Sequence, residues 1–156
     1  MPQEFASAQE LAAGVGKSLG ASDWLTVDQQ RIDCFADATD DHQWIHVDVE
    51  RASAGPFANT IAHGYLTLSL VNALLPQLIA VPNAVLALNR GCTKVRFSAP
   101  VLSGARIRAV GELLAADPVS DGVDVTVRMT IEIDGHGKPA CVVDTVRRYF
   151  FAPPQA

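Results

Sequence analysis

The stretch GVDVTVRMTIEID, residues 122–134, constrains the fold of this chain more than any other segment. Its Val123, Val125, Val127, Met129, Ile131 and Ile133 alternate with Asp124, Thr126, Arg128, Thr130, Glu132 and Asp134, the period of a strand with one dry face and one wet face. A strand of that length needs neighbours on both sides and an apolar body to lie against. The neighbours are close by in sequence: GARIRAVGELLAA precedes it, the turn DGHGK leads into PACVVDTVRRYF, and LALNRGCTKVRFSAP supplies a further strand bent at Gly91. The apolar body is IAHGYLTLSLVNALLPQL, apolar almost all the way round from Tyr65 to Leu75, which predicts a helix buried on every side. Long antiparallel strands after one such helix leave one economical arrangement, a sheet curled around the helix. The expected class is therefore α+β with the hot-dog architecture.

The first half of the chain reads as helical. VDQQRIDCFADAT carries Ile32, Phe35 and Ala36 at helical spacing behind Asp28, which suits an N-cap, and the helix is expected to end near Thr39. VDVERASAG predicts one or two short helical turns closed by Gly55-Pro56. Nothing between residues 1 and 156 has the composition of a linker, a repeat or a charge run, so a single domain is expected. The net charge of −5, with no basic block and 6% aromatic residues, argues against a nucleic-acid partner. Cys34, Cys92 and Cys141 are far apart among apolar neighbours and are expected to be buried free thiols rather than a disulfide framework. The opening residues lack a positive region followed by a continuous apolar core, and no run reaches the ~18 apolar residues of a membrane span. A soluble cytoplasmic protein with no membrane contact is the expectation.

The stretch TDDHQWIHVD, residues 39–48, is too short for a core element, yet it gathers three acids and two histidines around Trp44. Taken with GPFANTIAHGYLTLSL and KVRFSAPVLSGARIRA, the segment FADATDDHQWIHVD resembles the MaoC-like (R)-specific enoyl-CoA hydratases, in particular the subgroup similar to nodulation protein N. The family motif of an aspartate, four residues and a histidine matches Asp41 and His46. Its second signature, a His-Gly pair opening the central helix with a serine six residues after the histidine, matches His63, Gly64 and Ser69. This chain departs from the common form, with Asp40 where glycine usually precedes the aspartate and Gln43-Trp44 where asparagine-proline usually stands.

The resemblance implies syn addition of water to a trans-2-enoyl thioester, giving an (R)-3-hydroxyacyl thioester. Such a reaction needs a base for water, an acid for the alpha carbon and donors for the enolate oxygen. It assigns water activation and proton return to Asp41, and orientation of the water to His46. Gly64, whose amide stands at the positive end of a helix, is the oxyanion candidate. Ser69 is a candidate positioning residue, and Tyr65 and Trp44 are read as either core or pocket lining. The implied substrates are acyl-CoA or acyl-carrier-protein thioesters, with Arg90, Lys94 or Arg96 as candidates for the CoA phosphates. A homodimer is implied, and no cofactor or metal is expected.

Plainer readings stand beside these. Asp41 also suits an Asx-turn, Ser69 a bond back to the carbonyl four residues earlier, Gly64 close packing, and His63 a structural place at the helix start, such as a cap. Asp40 and His42 read as solvated neighbours. Competing functions are a hot-dog thioesterase, a metal hydrolase using His42 and His46 at i, i+4 spacing, and a non-catalytic acyl-thioester-binding protein. Against the metal site, HQWIH lacks the glutamate of the zinc-protease pattern and reads as a loop.

Overall fold

The computed structural model describes residues 1–152. In chain order its elements are β1 (Gln3–Glu4), α1 (Ala8–Ala13), β2 (Ser18–Ala21), β3 (Leu25–Val27), α2 (Gln29–Thr39), α3 (Trp44–Val47), α4 (Val49–Ser53), α5 (Gly64–Ser69) and α6 (Val71–Leu74). A 3₁₀ turn at Leu75–Gln77 follows, then β4 (Ile79–Ala80), β5 (Leu86–Phe97), β6 (Ala105–Val119), β7 (Gly122–Ile133) and β8 (Cys141–Phe150). The main sheet runs β2-β6-β7-β8-β5, with β3 also on β6, and each pairing in it is antiparallel. β1 pairs with β4 in parallel as a small separate ribbon.

The alternation of β7 is realised residue by residue. Val123, Val125, Val127, Met129, Ile131 and Ile133 are buried in one core with Leu66, Leu70, Val71 and Leu74 of the helical segment. This is the hot-dog arrangement, a long antiparallel sheet wrapped on a central helix. Asp28 caps α2 by accepting from the Arg31 amide at 2.9 Å. The bend in β5 is a break in register with β8 between Asn89 and Gly91, and Gly91 takes φ 151°, a conformation open to glycine.

Three expectations need correction. The segment 65–75 is not buried on every side: it divides at Leu70 into α5 and α6, and Tyr65, Ser69, Asn72 and Ala73 are exposed. The sheet covers only one flank of it, because β5 is an edge strand whose twelve residues are all exposed in the single chain. The Ser69 hydroxyl, which donates to the Tyr65 carbonyl at 2.7 Å, is the kind of back-bond that bends a helix at this point. Second, only Cys141 is buried, and its burial pushes the thiol up to about 11. Cys34, on α2, and Cys92, on the edge strand, are exposed free thiols. Third, residues 44–47 form a helical turn rather than a loop.

Sequence reasoning did not find α1, although Ser7 accepts from the Glu10 amide while the Glu10 carboxylate accepts from Ala6, a signature close to a capping box.

The wet face of the sheet carries cross-strand ion pairs. Arg108 meets Glu132 (2.8 Å), Arg128 grips Asp144 through two bonds (2.7 and 2.9 Å), and Arg148 grips Asp124 in the same way (2.6 and 2.8 Å). Hydrogen bonds from Arg128 and Arg148 hold the Asp144 and Asp124 carboxyls below the usual carboxylate range. A carboxyl whose pKa is depressed by folding stabilises above its unfolded value of about 3.9, and that stability is lost as pH falls through the folded value. Arg128→Met should therefore be less stable than the parent at pH 7, with the gap closing below about pH 4. Urea midpoints at pH 7, 5 and 3 measure this; a gap independent of pH would refute it.

Candidate active site

The site is built where the end of α2 meets α3 and the start of α5. Asp40 takes a left-handed conformation (φ 58°, ψ 21°), which ends α2 and starts a loop at Asp41. The Asp41 carboxylate is exposed and accepts a long bond, 3.4 Å, from the Gln43 amide, so the turn reading and the functional one coexist. His46 lies on α3 and is buried. Its Nδ1 is 2.6 Å from the Ile61 carbonyl, and a carbonyl can only accept, so Nδ1 carries the proton and Nε2 is left with a lone pair. Burial pulls the His46 imidazole below the ordinary histidine value; the Ile61 bond opposes that, and His63 adds to it.

Two side chains outside the sequence assignment pin this geometry. Gln29, at the start of α2, donates to the His46 carbonyl at 2.7 Å and accepts from the hydroxyl of fully buried Thr60 at 2.5 Å. Nothing in their local sequence marks them, because the bonds join segments 17 and 31 residues apart. The strand-like run before α5 is in turn fixed to the segment after β5, by Ala62 N–H to the Val101 carbonyl (2.8 Å) and Ser103 N–H to the Thr60 carbonyl (2.9 Å).

Asp41, His46, His63, Gly64 and Tyr65, with Phe35 and Thr39, line a cleft of about 250 Å³. Gly64 also lines an adjoining, mostly apolar cleft of about 290 Å³ with Phe97, Ala99, Pro100 and Val101. A Cβ at Gly64 would meet the Phe97 ring at 3.4 Å, an ordinary contact, so packing alone does not demand glycine there. The structure thus brings together Asp41, His46, Gly64 and Tyr65.

It takes Trp44 and Ser69 elsewhere. The Trp44 ring lies under Arg51 (4.4 Å to the centroid) and against Gly55, and the Ser69 hydroxyl is spent on the Tyr65 carbonyl. Lys94 and Arg96 sit with Arg128 and Asp144 on the wet face of the sheet, opposite the face that carries Phe97, and Arg90 is exposed on the same edge strand. His63 occupies the N-cap position of α5 but makes no side-chain capping bond.

His42 does not stand with His46. It is exposed and 2.8 Å from Asp37, whose hydrogen bond raises its pKa. The histidine beside His46 is His63, and Asp41, His46 and His63 have possible ligand atoms within 4.8 Å of one another. Their chemistry does not suit one ion. His63 Nε2 faces the Asp41 carbonyl and must carry a proton, and the one lone pair left on that ring, at Nδ1, is shut off from solvent.

The cleft of this hot-dog body thus gathers an acid, a bare imidazole nitrogen and a helix-end glycine. The chain belongs to the MaoC-like domain family, whose "MaoC like domain" matches residues 10–133. It is 50% identical over 146 residues to 3-hydroxyacyl-thioester dehydratase Z of Mycobacterium tuberculosis, covering 93% of this chain and 97% of that protein. It is 40% identical over 152 residues to nodulation protein N of Rhizobium leguminosarum bv. viciae, covering 94% and 93%. Among solved structures, the (R)-hydratase from A. caviae involved in PHA biosynthesis superposes with a TM-score of 0.69 at 25% identity, over 85% of this chain and 94% of that one.

Proposed function

We propose that the protein is an (R)-specific enoyl-thioester hydratase that adds water reversibly and with syn geometry to a trans-2-enoyl-CoA or the corresponding acyl-carrier-protein thioester. The observation that carries this is the pair of acceptors on one cleft, the Asp41 carboxylate and the bare Nε2 of His46, facing Gly64. Two acceptors hold one water by both of its hydrogens and leave an oxygen lone pair free for C3. As the C3–O bond forms, the C2=C3 pair moves toward the thioester carbonyl, whose oxygen is held by the Gly64 N–H. Asp41 takes the water's proton and returns it to C2, while His46 keeps the water oriented. Similarity to a protein named as a 3-hydroxyacyl-thioester dehydratase supports the thioester, with dehydration as the reverse direction. The apolar cleft beside Gly64 takes an arm of the substrate.

Loss of enoyl absorbance on mixing with crotonyl-CoA, with chiral analysis of the 3-hydroxybutyryl-CoA formed, tests the reading. Release of free CoA in place of hydration would establish a thioesterase instead. Activity abolished by a strong chelator and restored by zinc would reinstate a metal.

The same reading includes a two-fold homodimer. The free edge of β5 exposes Leu86, Leu88, Val95 and Phe97, and Tyr65 lies beside Phe97 with ring centroids 6.2 Å apart. An open, apolar edge next to an uncovered helix flank favours pairing into one continuous sheet. Light scattering at micromolar concentration should give twice the chain mass, and a stable, fully active monomer would refute the assembly.

A further inference from the structure

We propose that His63 is the positioning residue of this site: one imidazole fixes the backbone from which Asp41 hangs and the ring plane of His46. The inference rests on the hydratase reading for its kinetic consequences, and on geometry for the rest.

His63 is 3% exposed, and it opens α5 with extended backbone (φ −57°, ψ 139°), yet its ring makes no bond to the free amides of the helix it precedes. The ring is turned to the cleft instead. Its Nε2–H donates to the Asp41 carbonyl at 2.9 Å, across 22 residues of sequence. That bond is shorter than the 3.4 Å tie from Gln43 to the carboxylate. The other contact is a stack on His46, with centroids 3.8 Å apart and planes 23° from parallel. Phe35 lies tilted against His63, 5.0 Å away, so the ring is wedged between α2 and α3.

The unused nitrogen supports a role beyond packing. His63 Nδ1 is buried without a hydrogen-bond partner among the described residues, a state that costs stability. Phenylalanine or leucine would fill the same space without that cost. What imidazole alone combines is a flat face for His46 and a donor for the Asp41 carbonyl. Nδ1 faces no acceptor in that closed space, so the tautomer the geometry fits is the one with the proton on Nε2, donated to the Asp41 carbonyl. The ionisable groups that face it are Asp41 from the loop, His46 from α3 and Tyr65 from α5; α2 contributes uncharged Phe35 and Thr39.

Two substitutions separate the two tasks. His63→Phe keeps the stack and removes the donor: kcat for crotonyl-CoA should fall by up to roughly 100-fold, the effect of a small misplacement of a reacting group, with KM little changed. The His46 titration, followed by NMR of its ring protons, should rise by less than in a variant that removes the ring, because phenylalanine takes away only the His63 contribution and leaves the burial that pulls His46 down. His63→Gln keeps a donor and removes the ring. It lets water reach His46, so the His46 titration and the acid limb of the kcat profile should both move to higher pH. Folded variants with kcat within about twofold of the parent and an unmoved His46 titration would overturn the proposal, whereas a parent that does not hydrate crotonyl-CoA overturns only the hydratase reading. If neither variant folds, nitrogen NMR of the parent decides. A His63 in the Nε2–H tautomer at pH 8 supports the assignment, and one that carries its proton on Nδ1 refutes it.

Discussion

Asp41→Asn and His46→Gln should each lower crotonyl-CoA hydration by about two to four orders of magnitude, the usual worth of a positioned acid or base. The fold should survive both. Asp41 is exposed, and among the described residues its carboxylate accepts one long bond, which asparagine can also accept. At position 46 an amide retains a donor for the Ile61 carbonyl, but it no longer presents a basic nitrogen to the cleft. Asp40→Asn and His42→Gln are the matched controls. Asparagine tolerates the left-handed backbone at position 40, and His42 is engaged with Asp37 in solvent, so both should stay within a few fold of the parent. Parent-like activity in either Asp41→Asn or His46→Gln would remove the proposed chemistry.

Leu74→Ala should be among the most damaging changes to stability. Leu74 is fully buried on the inward flank of α6, within the core that includes Val125, Val127 and Met129. Truncation in such a place costs about 2–5 kcal/mol in lost transfer energy and residual cavity. For a chain of this length that is roughly 10 °C in Tm. Ala73, its neighbour in sequence, is exposed, and Ala73→Ser should change Tm by only a degree or two, since surface substitutions usually stay within about 0.5 kcal/mol. Thermal unfolding of the two variants at one fixed protein concentration makes the comparison. Equal shifts would mean that the inward and outward flanks of the helix are not distinguished as described.

What was legible in the sequence follows the range over which each signal acts. The faces of β7 could be read from β7 alone, because alternation is a property of the strand and the core merely accepts it. Both ends of α2 were legible for a similar reason, since Asp28 and the residues around Asp40 act on their own turns. β2 and β3 were not, having four and three residues, too few to show a period. Exposure of Tyr65, Cys34 and Cys92 was misjudged because it depends on what the rest of the molecule covers, and an apolar run carries no record of how far a sheet will reach around it. At the site, the resemblance singled out Asp41, His46 and Gly64, which line one cleft. It also singled out Ser69, whose hydroxyl is turned back on its own helix. The positions of Gln29, Thr60 and the His63 ring depend on bonds across 17 to 31 residues, which no local pattern encodes.

The order of strands has a consequence for the chain while it is being made. β2 and β3 enter the main sheet through β6, which begins at Ala105, and β5 enters it through β8, which begins at Cys141. Every main-sheet strand within the first hundred residues therefore emerges from the ribosome before its partner exists. Leu66, Leu70, Val71 and Leu74 wait as well, since the strands that cover them are translated later. At the usual ~5–20 residues per second, the interval from Leu74 to Phe150 is roughly 4–15 s. For that time the nascent chain is a helical, apolar fragment without its wrapper, and a better client for a holding chaperone than the finished protein ever is.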